Sequence, residues 1–269
     1  MTFDYEQSVW GKGEASLAWD HPTAFRLRQA LQAIQSLEPG QKVLELGCGA
    51  GQFIRGVKKL RPELDCLGCD ISRAAIELAK QTGDGVGYSL SQENRLPYPD
   101  NSLDAVLIFD VLEHVLDPGM ILDEVKRVLK PGAIVYAFVP CEGDWTSLWH
   151  LLDAIGLKRD LTRQYAGHIN YFSRKQLQRL FAAHDLRIEK SRYSEHFNGQ
   201  IVGVIAFYLM DFAAKRQGIA QMNNETYFGA MNQNWLVRLF KAKINTLVYL
   251  ESLLFSWLPS PNVHVVAEK

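Results

Sequence analysis

Three glycines at alternate positions follow a short apolar segment in the stretch VLELGCGAGQF, which begins at Val43. Glycine adopts positive φ angles easily and lets backbone N–H groups approach a ligand closely. The helix expected to begin beyond Gly51 carries a partial positive charge at its first turn. Glu45 stands just before the glycines, and Asp70 ends the next apolar segment. This arrangement predicts a loop that binds a ligand through bare backbone.

Three kinds of ligand compete for this loop. A Walker phosphate loop ends in GKS or GKT, and no such ending is present. A dinucleotide loop has a glycine where Gln52 stands, and Glu45 is a poor neighbour for a pyrophosphate. A cationic nucleoside, S-adenosylmethionine, suits the acidic Glu45 and an Asp70 carboxylate that accepts hydrogen bonds from ribose hydroxyls. The pattern favours this third ligand, and a tight turn without a ligand is the remaining alternative.

Two histidines stand where a group-transfer reaction could use a base. His114 lies in LEHV, shortly after Asp110, and His168 lies in AGHINYFS. Histidine is the side chain that most often moves protons near neutral pH. The alternatives are a loop-orienting hydrogen bond for His114, and a substrate contact or a structural role for His168. Both histidines are therefore predicted as catalytic candidates.

The cysteines give no sign of a metal centre. Cys66 and Cys69 form a CxxC inside LDCLGCD, which has the composition of a buried strand. A closed zinc site takes four ligands, and no second CxxC or histidine pair stands at ligand spacing. We expect small core residues here and no bound metal.

Strands alternate with helices in the first half of the chain. The expected strands are 42–46, 64–69, 86–90, 103–109 and 133–139, followed later by 186–191 and 263–267. The alternation predicts a mostly parallel sheet with helices on both faces. In such a sheet, ligands bind beyond the carboxyl ends of the strands. The glycine loop and the segments that follow the other strands are therefore expected to share one site.

Four segments together carry a resemblance to a known family. They are VLELGCGAGQF, LGCDIS, LPYPDNSLDAVLIFDVLEHVLDP and EVKRVLKPGAIVYAFVP, in this order and spacing. The chain resembles a class I S-adenosylmethionine-dependent methyltransferase, of the broad small-molecule subgroup that includes ubiquinone and menaquinone methyltransferases. The resemblance covers about residues 25–190. It implies a Rossmann-like, seven-stranded sheet and S-adenosylmethionine as the cofactor.

The resemblance also implies which residues contact the cofactor and the acceptor. The third-strand loop has Ser91-Gln92-Glu93 where the subgroup usually has an aspartate, so Gln92 is the expected partner of the adenine amino group. The full set of implied cofactor residues is Glu45, Gly47, Cys48, Gly49, Gly51, Asp70, Ile71, Gln92, Glu93 and Asp110. The implied acceptor contacts are Tyr5, Trp10, His114, His168 and Tyr171.

The remaining segments suggest a lid and a cap. Residues 1–24 contain Tyr5, Trp10 and Trp19, and either fold over the site as a lid or pack against the flank of the domain. Residues 25–195 with 261–269 are predicted to form the methyltransferase domain. Residues 196–260 are predicted to form a helical insertion before the last strand, which covers the sheet edge or a second subunit, or serves a hydrophobic substrate near a membrane surface.

Composition and charge bound the function. Hydrophobic residues make up 47% of the 269 residues, and the formal net charge is -1, which gives no attraction to nucleic acid. A start without an apolar signal segment predicts a cytoplasmic protein. We expect the protein to be a monomer or a homodimer. The prediction is a methyltransferase for a hydrophobic small molecule such as a quinone, a lipid or an aromatic natural product. The alternatives are a protein or RNA methyltransferase, or a non-catalytic cofactor-binding module.

Overall fold

Seven strands form one sheet in the computed structural model, which describes residue 6 and residues 9–156, 161–217 and 234–269. The strands are β1 Lys42–Leu46, β2 Asp65–Asp70, β3 Gly87–Leu90, β4 Leu103–Phe109, β5 Leu129–Pro140, β6 Arg187–Ser194 and β7 Asn262–Glu268. Their order across the sheet is β3-β2-β1-β4-β5-β7-β6. Strand β7 is antiparallel to both of its neighbours, and the other pairs are parallel. The predicted seven-stranded, mostly parallel sheet is confirmed.

The strand order reverses next to β1. This strand pairs with β2 on one side and with β4 on the other, so that Leu46 lies opposite both Cys69 and Ile108. The carboxyl ends of β1, β2 and β4 therefore open side by side. This switch in strand order is where open α/β sheets bind their ligands.

Several of the helices begin where a side chain satisfies the first backbone N–H groups. They are α1 Ala24–Ala33, α2 Gln52–Leu60, α3 Arg73–Lys80, α4 Pro118–Val128, α5 Leu148–Ala154, α6 Leu161–Tyr165, α7 Arg174–Ala183, α8 Asn198–Gln217 and α9 Trp235–Phe255. The Ser72 hydroxyl accepts from Ala75 N ahead of α3, and Asp117 caps α4, which has proline at its first position. A capping box of Ser173 and Gln176 begins α7.

Two apolar clusters cover the two faces of the sheet. Leu44, Val106 and Ile108 belong to one cluster, and Val43 and Leu107 belong to the other. Successive side chains of a strand point to opposite faces, so this alternation places a core on each side of the sheet. All seven residues of β4 are buried, as expected for a central parallel strand covered by helices on both faces.

Several elements differ from the sequence prediction, most by one to three residues at a boundary. The sequence has a helical pattern over 21–37, but the first helix spans only Ala24–Ala33. Strand β5 begins at Leu129, ahead of the expected 133, because Leu129 pairs with Leu103 and the Lys130 ammonium bridges to Asp104 at 2.7 Å. The short helix α6 was not predicted.

Helices α8 and α9 follow β6 and precede β7 in the chain. Helix α8 packs on α5 and α6 through a cluster that includes Met210, Ala214 and Tyr165. Helix α9 contacts α1 and β6. No helix among the described residues is both long enough and apolar enough to cross a membrane.

Candidate active site

The glycine loop closes tightly on its neighbours. Gly47, Gly49 and Gly51 have φ angles of +68°, +53° and +88°, a region that disfavours other residues. An added Cβ at Gly49 would lie 2.5 Å from the Trp10 carbonyl oxygen, and one at Gly47 would lie 2.5 Å from Val111 Cγ2. The loop therefore requires glycine, and it touches the segment after β4 directly.

The predicted cofactor residues Gly47 and Cys48 tie the loop to the neighbouring strand. Their backbone N–H groups donate to the Cys69 carbonyl oxygen at 2.8 and 3.0 Å. Burial raises the pKa of the Cys48 thiol well above its usual value, so that this side chain stays neutral. The structure thus gives Cys48 a structural role, and its contact with a cofactor stays a prediction.

Glu45 anchors the helix behind the loop. Its Oε2 accepts a hydrogen bond from Ile54 N at 2.7 Å, in the first turn of α2. Burial raises the pKa of this carboxyl to about 8. The sequence predicted that Glu45 frames the methionine part of the cofactor. In the structure its established contact is with α2, and the cofactor contact stays a prediction.

Asp70 joins the two loops at the tip of β2. Its Oδ2 accepts from Gly49 N at 2.8 Å, and its Oδ1 accepts from Ser72 N at 2.8 Å. Burial raises the pKa of this carboxyl despite these bonds. Each carboxylate oxygen retains a further lone pair, so that both can also accept from ribose hydroxyls. Ile71 is exposed beside it, where the resemblance places the adenine.

The N-terminal segment crosses the glycine loop. Ala50 N donates to the Trp10 carbonyl oxygen at 2.8 Å, and Trp10 itself is half-buried. The guanidinium of Arg55 donates to the carbonyl oxygens of Gly11 at 3.2 Å and Lys12 at 3.3 Å, and also to that of Ala50. The segment is therefore held against the loop by its backbone. The predicted acceptor contact Tyr5 lies outside the described residues.

The N-terminal segment also reaches the next helix. Both oxygens of the Glu6 carboxylate accept from the first turn of α3, from Arg73 N at 2.9 Å and Ala74 N at 3.0 Å. Trp19 is more than half exposed and stacks on Tyr249 of α9, with ring centroids 6.0 Å apart. Of the aromatic residues predicted to form a lid, Trp10 lies at the glycine loop, and Trp19 lies on the flank.

Asp110 ends β4 in the left-handed region, with φ of +51°. Its Oδ2 accepts from Arg26 Nη1 at 2.7 Å, and Nη2 of the same arginine lies 3.3 Å from Glu195 Oε1. The guanidinium carbon lies 3.9 Å from the ring centroid of Phe138. Asp110 thus stands at the expected tip, bound to α1, and its cofactor contact stays a prediction.

Gln92 and Glu93 lie in a narrow exposed turn after β3. Gln92 N donates to the Arg95 carbonyl oxygen at 3.2 Å, which folds the turn back on itself. Both side chains are exposed, so an adenine amino group has access to the Gln92 amide oxygen. The predicted contacts of both residues remain predictions.

His114 and His168 come together from distant parts of the chain. Their ring centroids are 4.9 Å apart at an interplanar angle of 78°. His168 Nδ1 lies 2.9 Å from Glu142 Oε1, and Glu142 Oε2 accepts from Thr162 Oγ1 at 2.9 Å. The fully buried Glu113 places Oε1 3.8 Å from His114 Nε2. We call the four titratable residues Glu113, His114, Glu142 and His168 the histidine–carboxylate cluster.

The electrostatics divide the roles of the two histidines. Burial alone would lower the pKa of His168, but the Glu142 charge and hydrogen bond raise it to about 9. Burial lowers the pKa of His114 to about 3, and the neighbouring His168 charge acts in the same direction. Burial raises the pKa of the Glu113 carboxyl. At neutral pH, His114 is therefore a neutral ring beside a strongly basic His168.

Backbone hydrogen bonds fix this arrangement. Ile169 N and Asn170 N donate to the Glu113 carbonyl oxygen at 2.8 and 3.0 Å. The Asn170 side-chain amide donates to the carbonyl oxygens of Leu112 and Val115. The segment that contains His168 is thus docked on the segment that contains His114. The predicted acceptor contact Tyr171 is the next residue after Asn170 and is half-buried.

The sequence prediction missed both carboxylates of the cluster. Glu142 lies shortly after Pro140, beyond the carboxyl end of β5, in one of the segments expected to share the site. Glu113 precedes His114 in an otherwise apolar segment, and an acid there is a sign of a buried functional group. The pairing of Glu142 with His168 joins residues 26 positions apart, so no local spacing indicated it.

The described residues offer one cluster with donor atoms close enough for a cation. Glu113, His114 and His168 have ligand atoms within 4.8 Å of one another. Cys66 and Cys69 belong to the core clusters on opposite faces of the sheet, so they cannot hold one ion together. Burial raises the pKa of both thiols to about 12. The expected absence of a bound metal stays a prediction.

Comparison with known proteins identifies the family. The family model described as a methyltransferase domain matches residues 19–191, which is more than half of the chain. The chain therefore belongs to the methyltransferase domain family. This match confirms the predicted class, a class I methyltransferase that uses S-adenosylmethionine.

Similar proteins point to different acceptors. "Ubiquinone/menaquinone biosynthesis C-methyltransferase UbiE" of Desulfotalea psychrophila is 37% identical over 30% of this chain and 34% of its own length. "Probable tRNA methyltransferase 9B" of Mus musculus is 30% identical over 31% of this chain and 17% of its own length. The crystal structure of the [4+2]-cyclase SpnF superimposes with a TM-score of 0.57 at 18% identity, covering 97% of this chain and 86% of that one. The matches thus span about a third or less of these curated relatives, and the structural match shows the fold.

Proposed function

We propose that the protein transfers a methyl group from S-adenosylmethionine to a hydrophobic small molecule. The observation that carries this proposal is the histidine–carboxylate cluster, whose Glu113 and His114 follow β4 on the segment that places Val111 next to the glycine loop. The positive-φ glycines leave bare backbone for the cofactor, and Asp70 has lone pairs left for its ribose. These residues fit S-adenosylmethionine, whose sulfonium would supply the methyl group and whose sulfur would leave as a neutral thioether.

The chain itself contributes position and proton transfer. Holding the acceptor in line with the methyl carbon supplies much of the catalysis for such a displacement. Nδ1 of His168 is engaged by Glu142, so Nε2 is the nitrogen left to accept a proton from the acceptor. The neutral His114 ring packs edge-on against His168 and positions it. Glu142 is thus a positioning residue, and His168 is the base.

Two observations support this class of acceptor: the net charge of the chain and the name of one relative. The name of the UbiE relative points to quinone biosynthesis, that is, to a hydrophobic ring compound. The net charge of -1 gives no electrostatic attraction to RNA, although a tRNA methyltransferase is among the relatives. We assign residues 1–24 to a lid over the cofactor, residues 25–195 with 261–269 to the catalytic domain, and residues 196–260 to a cap on the acceptor side.

The test is release of S-adenosylhomocysteine from a panel of acceptors. The panel contains prenylated quinols, lipids, aromatic polyketides, bulk tRNA and a histone peptide mixture. We expect turnover with a hydrophobic small molecule, reduced about 10²–10⁴-fold in His168→Ala, the loss typical of removing a proton-transfer group. His150→Ala is the matched control, because His150 is exposed on α5.

The outcomes separate the candidate functions. Turnover with RNA or peptide alone would mean that the acceptor class is wrong. Cofactor binding without turnover on any acceptor would favour a binding module. If His168→Ala lost cofactor affinity and turnover equally, His168 would have a structural role.

A further inference from the structure

Helices α8 and α9 expose two apolar stripes. Leu236, Phe240, Leu247 and Leu254 are spaced by four or seven residues on α9, and all four are about half exposed or more. Such spacings place side chains on one face of a helix. On α8, a run of apolar residues at steps of three or four, from Phe197 to Phe212, is exposed in the same way. A contiguous exposed apolar surface of this kind marks an interaction site.

The two stripes belong to one structural unit. Glu251 of α9 accepts hydrogen bonds from Phe197 N at 2.6 Å and Asn198 N at 2.9 Å, at the start of α8. An added Cβ at Gly199 would lie 3.3 Å from Val248 Cγ1, so the two helices touch here. We call the exposed sides of α8 and α9 the α8–α9 face.

Within the described residues of α8 and α9 themselves, the charged side chains that reach the surface are basic. Arg238, Lys241 and Lys243 lie in the first half of α9, whereas Glu251, its single acid, is buried as the cap of α8. At the end of α8, Lys215 pairs with the buried Asp211 at 2.7 Å, and the exposed Arg216 adds one further positive charge. Basic residues near an apolar stripe are the pattern of helices that lie in the interface of a bilayer with anionic lipids.

Tryptophans lie at both ends of the apolar stripe of α9. Trp235 is 66% exposed at the start of the helix, and Trp257 is 68% exposed just beyond its end. Tryptophan concentrates at the boundary between lipid and water. No described helix can cross the membrane, so these features fit a helix that lies along the surface.

A second copy of this chain fits the same face less well. A two-fold dimer brings the same patch of both copies together. Lys243 is seven residues from Leu236 and therefore lies within the apolar stripe of α9. A symmetric contact would bury Lys243 of both copies between two like-charged surfaces, at a cost in desolvation and repulsion. At a bilayer, the long lysine side chain instead reaches the anionic headgroups.

We propose that the α8–α9 face binds the surface of a bilayer that contains anionic lipids. The occupant is the lipid interface itself: the apolar stripes enter it, and the basic residues meet the headgroup charges. This contact goes beyond the proposed methyl transfer and does not depend on which acceptor is methylated.

The test is co-sedimentation of the full chain with lipid vesicles. One set contains phosphatidylcholine alone, and the other contains phosphatidylglycerol as well. We expect binding to the second set, weakened as salt is raised through about 0.15 M. The triple variant Arg238→Gln/Lys241→Gln/Lys243→Gln should bind roughly a hundred-fold more weakly, since each basic residue near the surface contributes about five-fold.

A second variant tests the apolar stripe separately. Leu236→Gln/Phe240→Gln should lower vesicle binding by at least about ten-fold, because two apolar side chains no longer enter the lipid. Leu60→Gln, the same kind of exchange at an exposed residue of α2, should bind as the unchanged chain does. Calorimetry with S-adenosylhomocysteine on each variant checks that the sheet and the cofactor site are intact.

Three results would overturn the proposal. One is the absence of sedimentation with both vesicle sets. Another is equal binding to both sets without dependence on salt or on the three basic residues. The third is a dimer in light scattering that Leu236→Gln/Phe240→Gln converts to a monomer, which would make a second copy the occupant. Methyl transfer measured without vesicles is independent of all three.

Discussion

Asp70 is the residue to which we assign the ribose of the cofactor. It already orders two loops through Gly49 N and Ser72 N, and its carboxylate oxygens can accept further hydrogen bonds. We predict that Asp70→Ala weakens binding of S-adenosylmethionine by ~1.5–3 kcal/mol, the value for hydrogen bonds to a charged group. Isothermal calorimetry measures this change directly.

A matched control separates this effect from a general loss of charge. Asp65→Ala changes an exposed aspartate at the other end of β2 and should leave the cofactor affinity unchanged. If Asp70→Ala bound the cofactor as tightly as the Asp65→Ala variant, the assignment of the ribose to Asp70 would be wrong.

The Glu142–His168 pair makes a prediction about pH. Glu142 raises the pKa of His168 to about 9, so at neutral pH most of the imidazole carries a proton and only the remainder can act as base. Turnover should therefore rise with pH up to about 9. Glu142→Gln removes the charge that raises this pKa, so the rising limb of the pH–rate profile should move to lower pH. Glu77→Gln, at an exposed position of α3, should not move it.

Unfolding experiments test the same pair without turnover. Because the folded state raises the pKa of His168, the charged pair stabilises the protein fully below the ordinary histidine pKa of about 6.5. This stabilisation is lost as pH rises through about 9. The difference in unfolding free energy between the unchanged chain and Glu142→Gln should therefore shrink at high pH. A pH-independent difference, or a rising limb that does not shift, would contradict the pairing.

At the residue scale, the sequence indicated single candidate residues near the ends of strands. It did not indicate which of these residues contact each other in the fold. Asp70, His114 and His168 stand in recognisable stretches. The structure places Asp70 at the end of β2, and it brings the two histidines together beyond β4. Glu142 has no such stretch, because its role comes from contact with His168 across the fold. Glu45 was predicted to face the ligand, yet its contact is with Ile54 on α2, which only the geometry of β1 and α2 reveals.

At the scale of elements, the N-terminal segment crosses the glycine loop and is held against it. Arg55 of α2 holds the carbonyl oxygens of Gly11 and Lys12. We predict that Arg55→Ala releases the segment and speeds hydrogen exchange of the Ala50 amide, which donates to the Trp10 carbonyl. Cofactor affinity should fall by about ten-fold or more, since a hydrogen bond to a charged group contributes ~1.5–3 kcal/mol.

Exchange mass spectrometry and limited proteolysis within residues 9–15 measure this release. Arg179→Ala, an exposed arginine of α7, is the control and should leave both rates unchanged. Unchanged protection of Ala50 in Arg55→Ala would show that the segment is held by other contacts.

Local signals predicted most elements because they lie within each element. The sequence carries the capping residues Ser72 and Asp117 at the starts of α3 and α4, and the bounds of β1 and β4 were predicted correctly from their apolar runs. Helix α6 has five residues and lacks a periodic pattern of its own. The early start of β5 depends on pairing with Leu103, which no local pattern contains.

At the scale of the whole molecule, Arg26 joins three distant parts of the chain. It lies on α1 and bridges Asp110 at the tip of β4 with Glu195 just after β6. The side chains are about a quarter to a third exposed. Removing the guanidinium should therefore cost an unfolding free energy between that of a surface ion pair and that of a buried one. We predict that Arg26→Met lowers the unfolding free energy by ~2 kcal/mol in chemical denaturation.

The exposed pair Lys59–Glu14 provides the comparison. Lys59→Met removes a pair whose side chains are 67% and 53% exposed, and it should change stability by less than about 0.5 kcal/mol. Equal effects of Arg26→Met and Lys59→Met would show that the bridge adds no more than a surface pair.

The parallel arrangement of the sheet could be predicted from the sequence. The exposure of the apolar faces of α8 and α9 could be predicted only in part. Alternating strands and helices favour one parallel topology because crossovers are right-handed. The apolar faces of α8 and α9 are visible in the sequence, but burial against α5 and α6 or exposure to a partner leaves the same pattern. Only the structure shows that Phe240 and Leu254 remain open.

The central claim is that S-adenosylmethionine lies across the tips of β1, β2 and β4. A crystal structure with S-adenosylhomocysteine tests it most directly. We predict that both ribose hydroxyls lie about 3 Å from the Asp70 carboxylate, with the homocysteine chain along the glycine loop and the sulfur facing His168. Density for the ligand at another edge of the sheet, or a ribose out of reach of Asp70, would contradict the account.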